Sequence, residues 1–198
     1  MLRSAKAASL VLLFCTLVVV SIATAVGIRA PPSATAVLPV SNGESGEEGG
    51  LLASRRLLIP VEGVTRKQLR DNFAETRGGK RRHDALDIMA ARGTPIYAVD
   101  DGRVAKLFRS AAGGLTIYQF DAGERYSYYY AHLDSYAKGL VEGMRLKRGD
   151  VVGYVGSTGN APAHAPHLHF TIFRMGPDRK WWKGEAVNPY PFLTEAER

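Results

Sequence analysis

The sequence predicts a mostly β protein: a single compact antiparallel β domain behind an N-terminal apolar helix and a flexible tether. Three observations carry that prediction. Short β-type runs divided by Gly and Asp turns begin after Leu51 and recur through the rest of the chain. Only one short stretch, Thr65–Phe73, reads as helical. A chain of 198 residues, 45% apolar and 23% charged, has room for one ordinary globular domain with appendages.

The appendages come first. Arg3 and Lys6 precede the apolar stretch Leu10–Val20, and Ala23-Thr24-Ala25 offers the small-x-small pattern of a signal peptidase site. Residues 1–28 therefore read as a signal peptide. An uncleaved signal anchor is the competing reading, because residues 7–28 carry no charge and are long enough to cross a bilayer. In both cases the positive charge ahead of the segment predicts that everything after it is exported and lies outside the cytoplasm. Cys15 is the only cysteine and follows bulky Phe14, which argues against lipidation. The part after the leader has no thiol, so any zinc there must be held by His and carboxylate, as in catalytic sites. Residues 29–50 are rich in Pro, Ser, Gly and Glu without periodicity and read as a disordered linker.

Residues 51–198 then form the predicted domain. Its strand candidates are Leu57–Val61, Pro95–Val99, Arg103–Phe108, Leu115–Phe120, Tyr126–His132, Val151–Val155 and His167–Phe173. Asp101-Gly102 is expected to be a tight hairpin turn, and Arg148-Gly149-Asp150 a turn leading into Val151. Net charge is +7, but the dense Lys/Arg clusters of a nucleic-acid footprint are missing, so no nucleic acid partner is expected.

Four of the five histidines fall in three settings that can carry chemistry. His83 and Asp87 stand four apart, His132 ends a candidate strand, and His167 and His169 stand two apart in another. Side chains alternate faces along a strand, so His167 and His169 share one face while Leu168 and Phe170 take the other. The same count puts Tyr126, Tyr128, Tyr130 and His132 on one face. A β scaffold can thus aim three imidazoles and one carboxylate at a single groove, and catalytic zinc needs three protein ligands plus an open position. Each piece also has a plainer reading. A lone strand histidine is more often a hydrogen-bonded, half-buried side chain, and Asp87 can simply cap a turn. His164 reads as a loop residue. The tyrosine strand can be packing on one face, with a sugar- or peptide-facing groove as the functional alternative for the other.

From Leu57 to about Leu193 the chain resembles the lysostaphin-type (LytM-like) peptidoglycan metallopeptidases. The likeness rests on His83-x-x-x-Asp87, Tyr130-x-His132 and His167-x-His169. It extends to Gly93-Thr94-Pro95, Asp101-Gly102-Arg103-Val104, Gly149-Asp150-Val151-Val152-Gly153, Gly156-Ser157-Thr158-Gly159-Asn160 and Asn188-Pro189-Tyr190-Pro191. The resemblance implies a compact β fold with an open groove and one zinc ion held by His83, Asp87 and His169. It gives His132 and His167 catalytic places beside the metal. It also implies a zinc endopeptidase acting on the peptide stems of peptidoglycan, with D-alanyl cross-links of a Gram-negative envelope as the favoured bond. The loop Ala161–Ala165 is longer than in the shortest relatives. Relatives that keep the fold but lose the ligands serve as non-catalytic regulators of other wall hydrolases, which is the alternative function. A biotinyl- or lipoyl-type carrier is a further rival, suggested by the Gly149–Gly156 run, but carriers have no use for clustered histidines.

Overall fold

The computed structural model describes residues 50–77, 79 and 81–195, so the expected leader and nearly all of the expected linker lie outside it. Residues 50–54 are helical, and Leu52 within them is buried in the core. Among the described residues no helix is long and apolar enough to cross a membrane. Strand β1 (Leu57–Leu58) pairs in parallel with the last strand of the chain, Leu193–Thr194.

The helix expected over Thr65–Phe73 shrinks to one 3-10 turn, Arg66–Gln68. Gln68 Oε1 caps the Thr65 N–H at 2.8 Å, yet Leu69 is already extended at ψ 138°. Glu195 Oε1 also accepts the Arg66 N–H at 3.0 Å, but a single capped turn is a nucleus without the further turns that would make it favourable.

The remaining strands follow in chain order. A small hairpin, β2 (Thr76–Arg77) with β3 (Arg81–Arg82), leads to β4 (Leu86–Met89) and β5 (Pro95–Tyr97). Then come β6 (Gly102–Ser110), β7 (Gly114–Asp121), β8 (Tyr126–Tyr136), β9 (Arg145–Leu146) and β10 (Val151–Val155). The last three are β11 (His167–Met175), β12 (Gly184–Val187) and β13 (Leu193–Thr194). The main sheet runs β12-β11-β8-β7-β6-β9 and is antiparallel throughout, with β4 beside β11, β10 beside β8, and β5 on β10.

One face of this sheet is the core. Leu86, Ile88, Ile117, Tyr128, Tyr130, Leu168, Phe170 and Ile172 come from four neighbouring strands and are buried together. The buried phenols need partners. Tyr130 donates to Gln119 Oε1 at 2.6 Å, and Tyr128 donates to Asp100 at 2.8 Å.

Asp101-Gly102 is not a hairpin, which corrects the sequence reading. Strand β5 pairs with β10, whereas β6 pairs with β7 and β9, so the dipeptide is only a bend between strands that do not meet. Gly102 is required by close approach instead, since a Cβ there would lie 2.0 Å from the Phe120 carbonyl oxygen. The turn at Arg148-Gly149-Asp150 forms as expected, closed by Asp150 N–H to Lys147 O at 2.9 Å.

Candidate metal centre

The pleat that buries the core also builds the site. Strand β4 pairs with β11 in the register Leu86 to Phe170, Asp87 to His169 and Ile88 to Leu168. Leu86, Phe170, Ile88 and Leu168 go inward, so Asp87 and His169 are set side by side on the open face. His83 arrives just before β4. Its N–H donates to Glu75 O at 2.9 Å, and Asp84 turns the chain at φ 53°.

Three atoms converge here. His83 Nε2 lies 2.9 Å from Asp87 Oδ1 and 3.2 Å from His169 Nδ1, and His169 Nδ1 lies 3.0 Å from Asp87 Oδ1. A tetrahedral zinc shell with bonds of about 2.0–2.2 Å sets its ligand atoms roughly 3.3–3.6 Å apart. The triangle is close to that size, and His83, Asp87 and His169 can hold a metal ion.

Proton positions support a cation. His83 Nδ1 is 3.0 Å from Asn72 O, His132 Nδ1 is 2.8 Å from Thr158 O, and His167 Nδ1 is 2.9 Å from Ala165 O. A carbonyl only accepts, so each Nδ1 carries the proton and each Nε2 presents a lone pair. His167 Nε2 is buried with no hydrogen-bond partner among the described residues, 3.7 Å from Asp87 Oδ1. Unprotonated nitrogens crowded round a carboxylate are short of protons, which a bound cation remedies. Burial pushes the His132 ring down to about 4, with the neighbouring histidines adding to the effect, so it is neutral near pH 7. Burial also lowers His169, against the opposing pull of Asp87.

His132 reaches the site by a route that simple alternation misses. Ile117 pairs with Tyr130 and Leu115 with Leu133, so Ala131 and His132 together oppose one residue of β7. This is a β-bulge, with His132 at φ 63°. The bulge reverses the count. Leu133 takes the core face after Tyr130, and His132 swings to the open face with its ring 5.0 Å from His167 and 5.4 Å from His169. The expectation that His132 shares a face with Tyr126, Tyr128 and Tyr130 is therefore corrected. Tyr129 is the strand tyrosine that faces the site, its ring 6.3 Å from His169.

A cavity of about 190 Å³ opens beside these residues, lined by His83, Ala112, Gly113, Tyr129, His132, Asn160 and His169. Its wall joins the β6–β7 turn to the 156–160 loop. His132 N–H donates to Gly113 O at 2.8 Å, Asn160 N–H to Ala112 O at 3.0 Å, and Leu115 N–H to Thr158 Oγ1 at 3.0 Å. Gly159, at φ 75°, lets the two segments touch, since a Cβ there would sit 2.3 Å from Ala112 O. A larger cavity of about 390 Å³ lies elsewhere, between Asp101, Arg103, Glu124 and Lys147. Its charges are already matched by the Arg103–Glu124 and Lys147–Asp101 pairs.

All five histidine and aspartate positions singled out in the sequence, His83, Asp87, His132, His167 and His169, meet here, while His164 is exposed on its loop. Asn72 was missed. Its carbonyl holds His83, and its side-chain Oδ1 accepts the Asp87 N–H at 3.2 Å, so one residue steadies two members of the triangle. It lies in the stretch that read as helix, where an Asp71-Asn72 pair after Leu69 is itself a turn signal.

A His/His/Asp triangle on an open sheet face, without cysteine, has the ligand types found in catalytic metal centres rather than in the Cys-rich structural ones. The sequence profile of Peptidase family M23 matches residues 81–189, and the chain belongs to that family. It is similar to the L-Ala–D-Glu endopeptidase of Bacillus subtilis, with 33% identity over 147 residues, 71% of this chain and 44% of that one. It is similar to lysostaphin of Staphylococcus simulans, with 31% identity over 115 residues, 58% of this chain and 22% of that one. The solved structure of Helicobacter pylori Csd3 superposes with a TM-score of 0.54 at 28% identity, covering 71% of this chain and 35% of the other. The chain spans less than half the length of these curated relatives.

Proposed function

We propose that this protein is a zinc-dependent endopeptidase that hydrolyses peptide cross-links of peptidoglycan outside the cytoplasm, with residues 51–198 as its catalytic domain. The carrying observation is the triangle of His83 Nε2, Asp87 Oδ1 and His169 Nδ1 within 3.2 Å, flanked by two imidazoles with free Nε2 atoms. Those three atoms are the zinc ligands, and a three-ligand shell leaves a position for water or substrate. When bound, zinc polarises the scissile carbonyl and makes water acidic enough to attack near neutral pH.

His167 is the proton carrier. Its Nδ1–H is tied to Ala165 O, so its orphaned Nε2 is oriented to take a proton from the attacking water and return it to the leaving amine. His132 is the water-orienting acceptor. Burial keeps it neutral, and its only proton is committed to Thr158 O, so its Nε2 accepts a hydrogen bond rather than donating one to an oxyanion. The leader, residues 1–28, would carry the domain out of the cytoplasm by cleavage or as an anchor. The L-Ala–D-Glu endopeptidase named above supports a stem peptide as substrate, and the D-alanyl cross-link is the bond proposed here.

The test is metal analysis of the purified chain together with mass analysis of muropeptides released from sacculi. One zinc per chain and new stem-peptide termini are expected, with release abolished by a chelator and restored by zinc. Release that persists in metal-free protein, or metal-loaded protein that releases nothing, refutes the proposal. The latter result favours the non-catalytic regulator.

A further inference from the structure

The open face of the sheet beyond the metal triangle is paved with aromatic rings, where a solvated antiparallel face is ordinarily polar. Tyr129 on β8 pairs in register with Tyr118 on β7, their rings 4.7 Å apart, and Phe173 on β11 lies 5.9 Å from Tyr129. The β11–β12 connection then folds back across the sheet. Its Trp181 packs 4.8 Å from Tyr118 and 5.4 Å from Phe108 on β6. Trp182 lies 5.2 Å from Trp181 and is 62% exposed. The row is continuous with the metal triangle, because Tyr129 also contacts His169 at 6.3 Å.

We infer that this row is a glycan subsite: Trp181 and Trp182 stack on the pyranose rings of an N-acetylated sugar strand while its peptide stem runs over Tyr118 and Tyr129 to the metal triangle. The inference rests on the peptidase reading above and adds what holds the sugar. Indole faces present large flat apolar areas that suit the C–H faces of sugar rings, and exposed aromatic patches of this kind mark ligand sites. The row is not an apolar dock for another protein's core. Arg179 pairs with Glu124 at 3.7 Å, while Lys180 and Lys183 share the single carboxylate of Asp178 at 3.6 Å each, so the rim keeps a positive excess, and Lys180 Nζ stands 5.9 Å over the Trp182 ring. Such a rim attracts the carboxylates of wall stems. Length also fits. The ring-to-ring steps of 6.3, 4.7 and 4.8 Å place Trp181 within about 16 Å of His169. An extended stem of four residues spans about 13–14 Å, so a bond four residues from the sugar lies at the metal when the sugar lies on the tryptophans.

The experiment measures binding of an N-acetylglucosamine tetramer, which offers a peptidase no bond to cleave, to the full chain by calorimetry. Trp182→Ala is the key variant, because so exposed a side chain has little structural role; it is expected to weaken binding about five- to tenfold, the worth of one aromatic stack. Trp182→Phe should recover most of the loss and Trp182→Leu little of it. Wild-type protein that fails to bind the tetramer, or Trp182→Ala that binds it unchanged, overturns the inference. So does tighter, Trp182-dependent binding to phosphatidylglycerol vesicles, which would make the row a membrane contact. Wild-type hydrolysis of a sugar-free cross-linked stem peptide tests the peptidase reading separately, so failure of one is not failure of the other.

Discussion

Within the His-x-His pair, two histidines on one strand face have different surroundings. His169 turns Nδ1 toward Asp87 and His83, whereas His167 commits Nδ1 to the Ala165 carbonyl and keeps Nε2 free. If both were ligands beside His83 and Asp87, all four tetrahedral positions would be filled and no place would remain for water. His169→Ala should therefore lose zinc and activity together. His167→Ala should retain zinc while turnover falls by about 10²–10⁴-fold, the usual contribution of general acid–base catalysis. Zinc content measured beside hydrolysis rate separates them, and an empty site in His167→Ala would show the division of roles to be wrong. The residues that hold these rings were mostly not legible in the sequence. Thr158 and Ala165 contribute carbonyl oxygens, which every residue type has, so no side-chain pattern could announce them.

Elements were legible where β-forming residues ran on between turn signals. The runs at Arg103–Phe108, Leu115–Phe120, Val151–Val155 and His167–Phe173 all lie in strands, because each holds Val, Ile, Leu or aromatic residues over five or more positions. Strand β4 went unseen at four residues, too short for a period to emerge, although its register with β11 is what sets Asp87 against His169. The bulge at Ala131-His132 was illegible for a different reason: an inserted residue is a property of the pairing with β7, and neither strand alone contains it. What holds the bulge is the 156–160 loop. Thr158 Oγ1 accepts the Leu115 N–H at 3.0 Å and donates to Leu133 O at 2.7 Å, while its own carbonyl fixes His132. Thr158→Val keeps the shape and removes both hydroxyl bonds, which should cost about 1–3 kcal/mol. The melting midpoint should drop, and turnover should fall with zinc retained, since His132 is loosened and the metal triangle is not touched. Unchanged turnover in a clearly destabilised Thr158→Val protein would detach the loop from His132.

At the scale of the whole domain, the first described turn is tied to the sheet through residues that take no part in the metal triangle. Arg55, just past helix 50–54, reaches Asp100 and Asp121, each at 2.8 Å, and the Asp121 side chain is fully buried. Tyr128 donates to Asp100 from the core face, and Asp121 also accepts the Tyr126 N–H at 2.7 Å, so the cluster joins the β5–β6 bend, the β7–β8 turn and the segment just after helix 50–54. Leu52 fills the core beside it. Without Arg55 the buried carboxylate of Asp121 would keep the backbone hydrogen bonds from Gly123 and Tyr126 but lose the Arg55 bond and its counter-charge, and breaking a buried pair this way costs about 3–5 kcal/mol. Protein starting at Ala30 and protein starting at Leu51 both keep Arg55 and Leu52 and should unfold at the same denaturant concentration, because the Pro-, Ser-, Gly- and Glu-rich sequence between the two starts reads as linker. Protein starting at Leu57 lacks both Arg55 and Leu52 and should unfold at a much lower one, with zinc content per folded molecule unchanged. Asp121→Asn in that shortest form should recover part of the loss by removing the uncompensated charge. Coincident unfolding of the Leu51 and Leu57 forms would mean that the Arg55 cluster contributes nothing and that the domain begins at β1. Separation of the Ala30 and Leu51 forms would instead assign residues 30–50 to the fold.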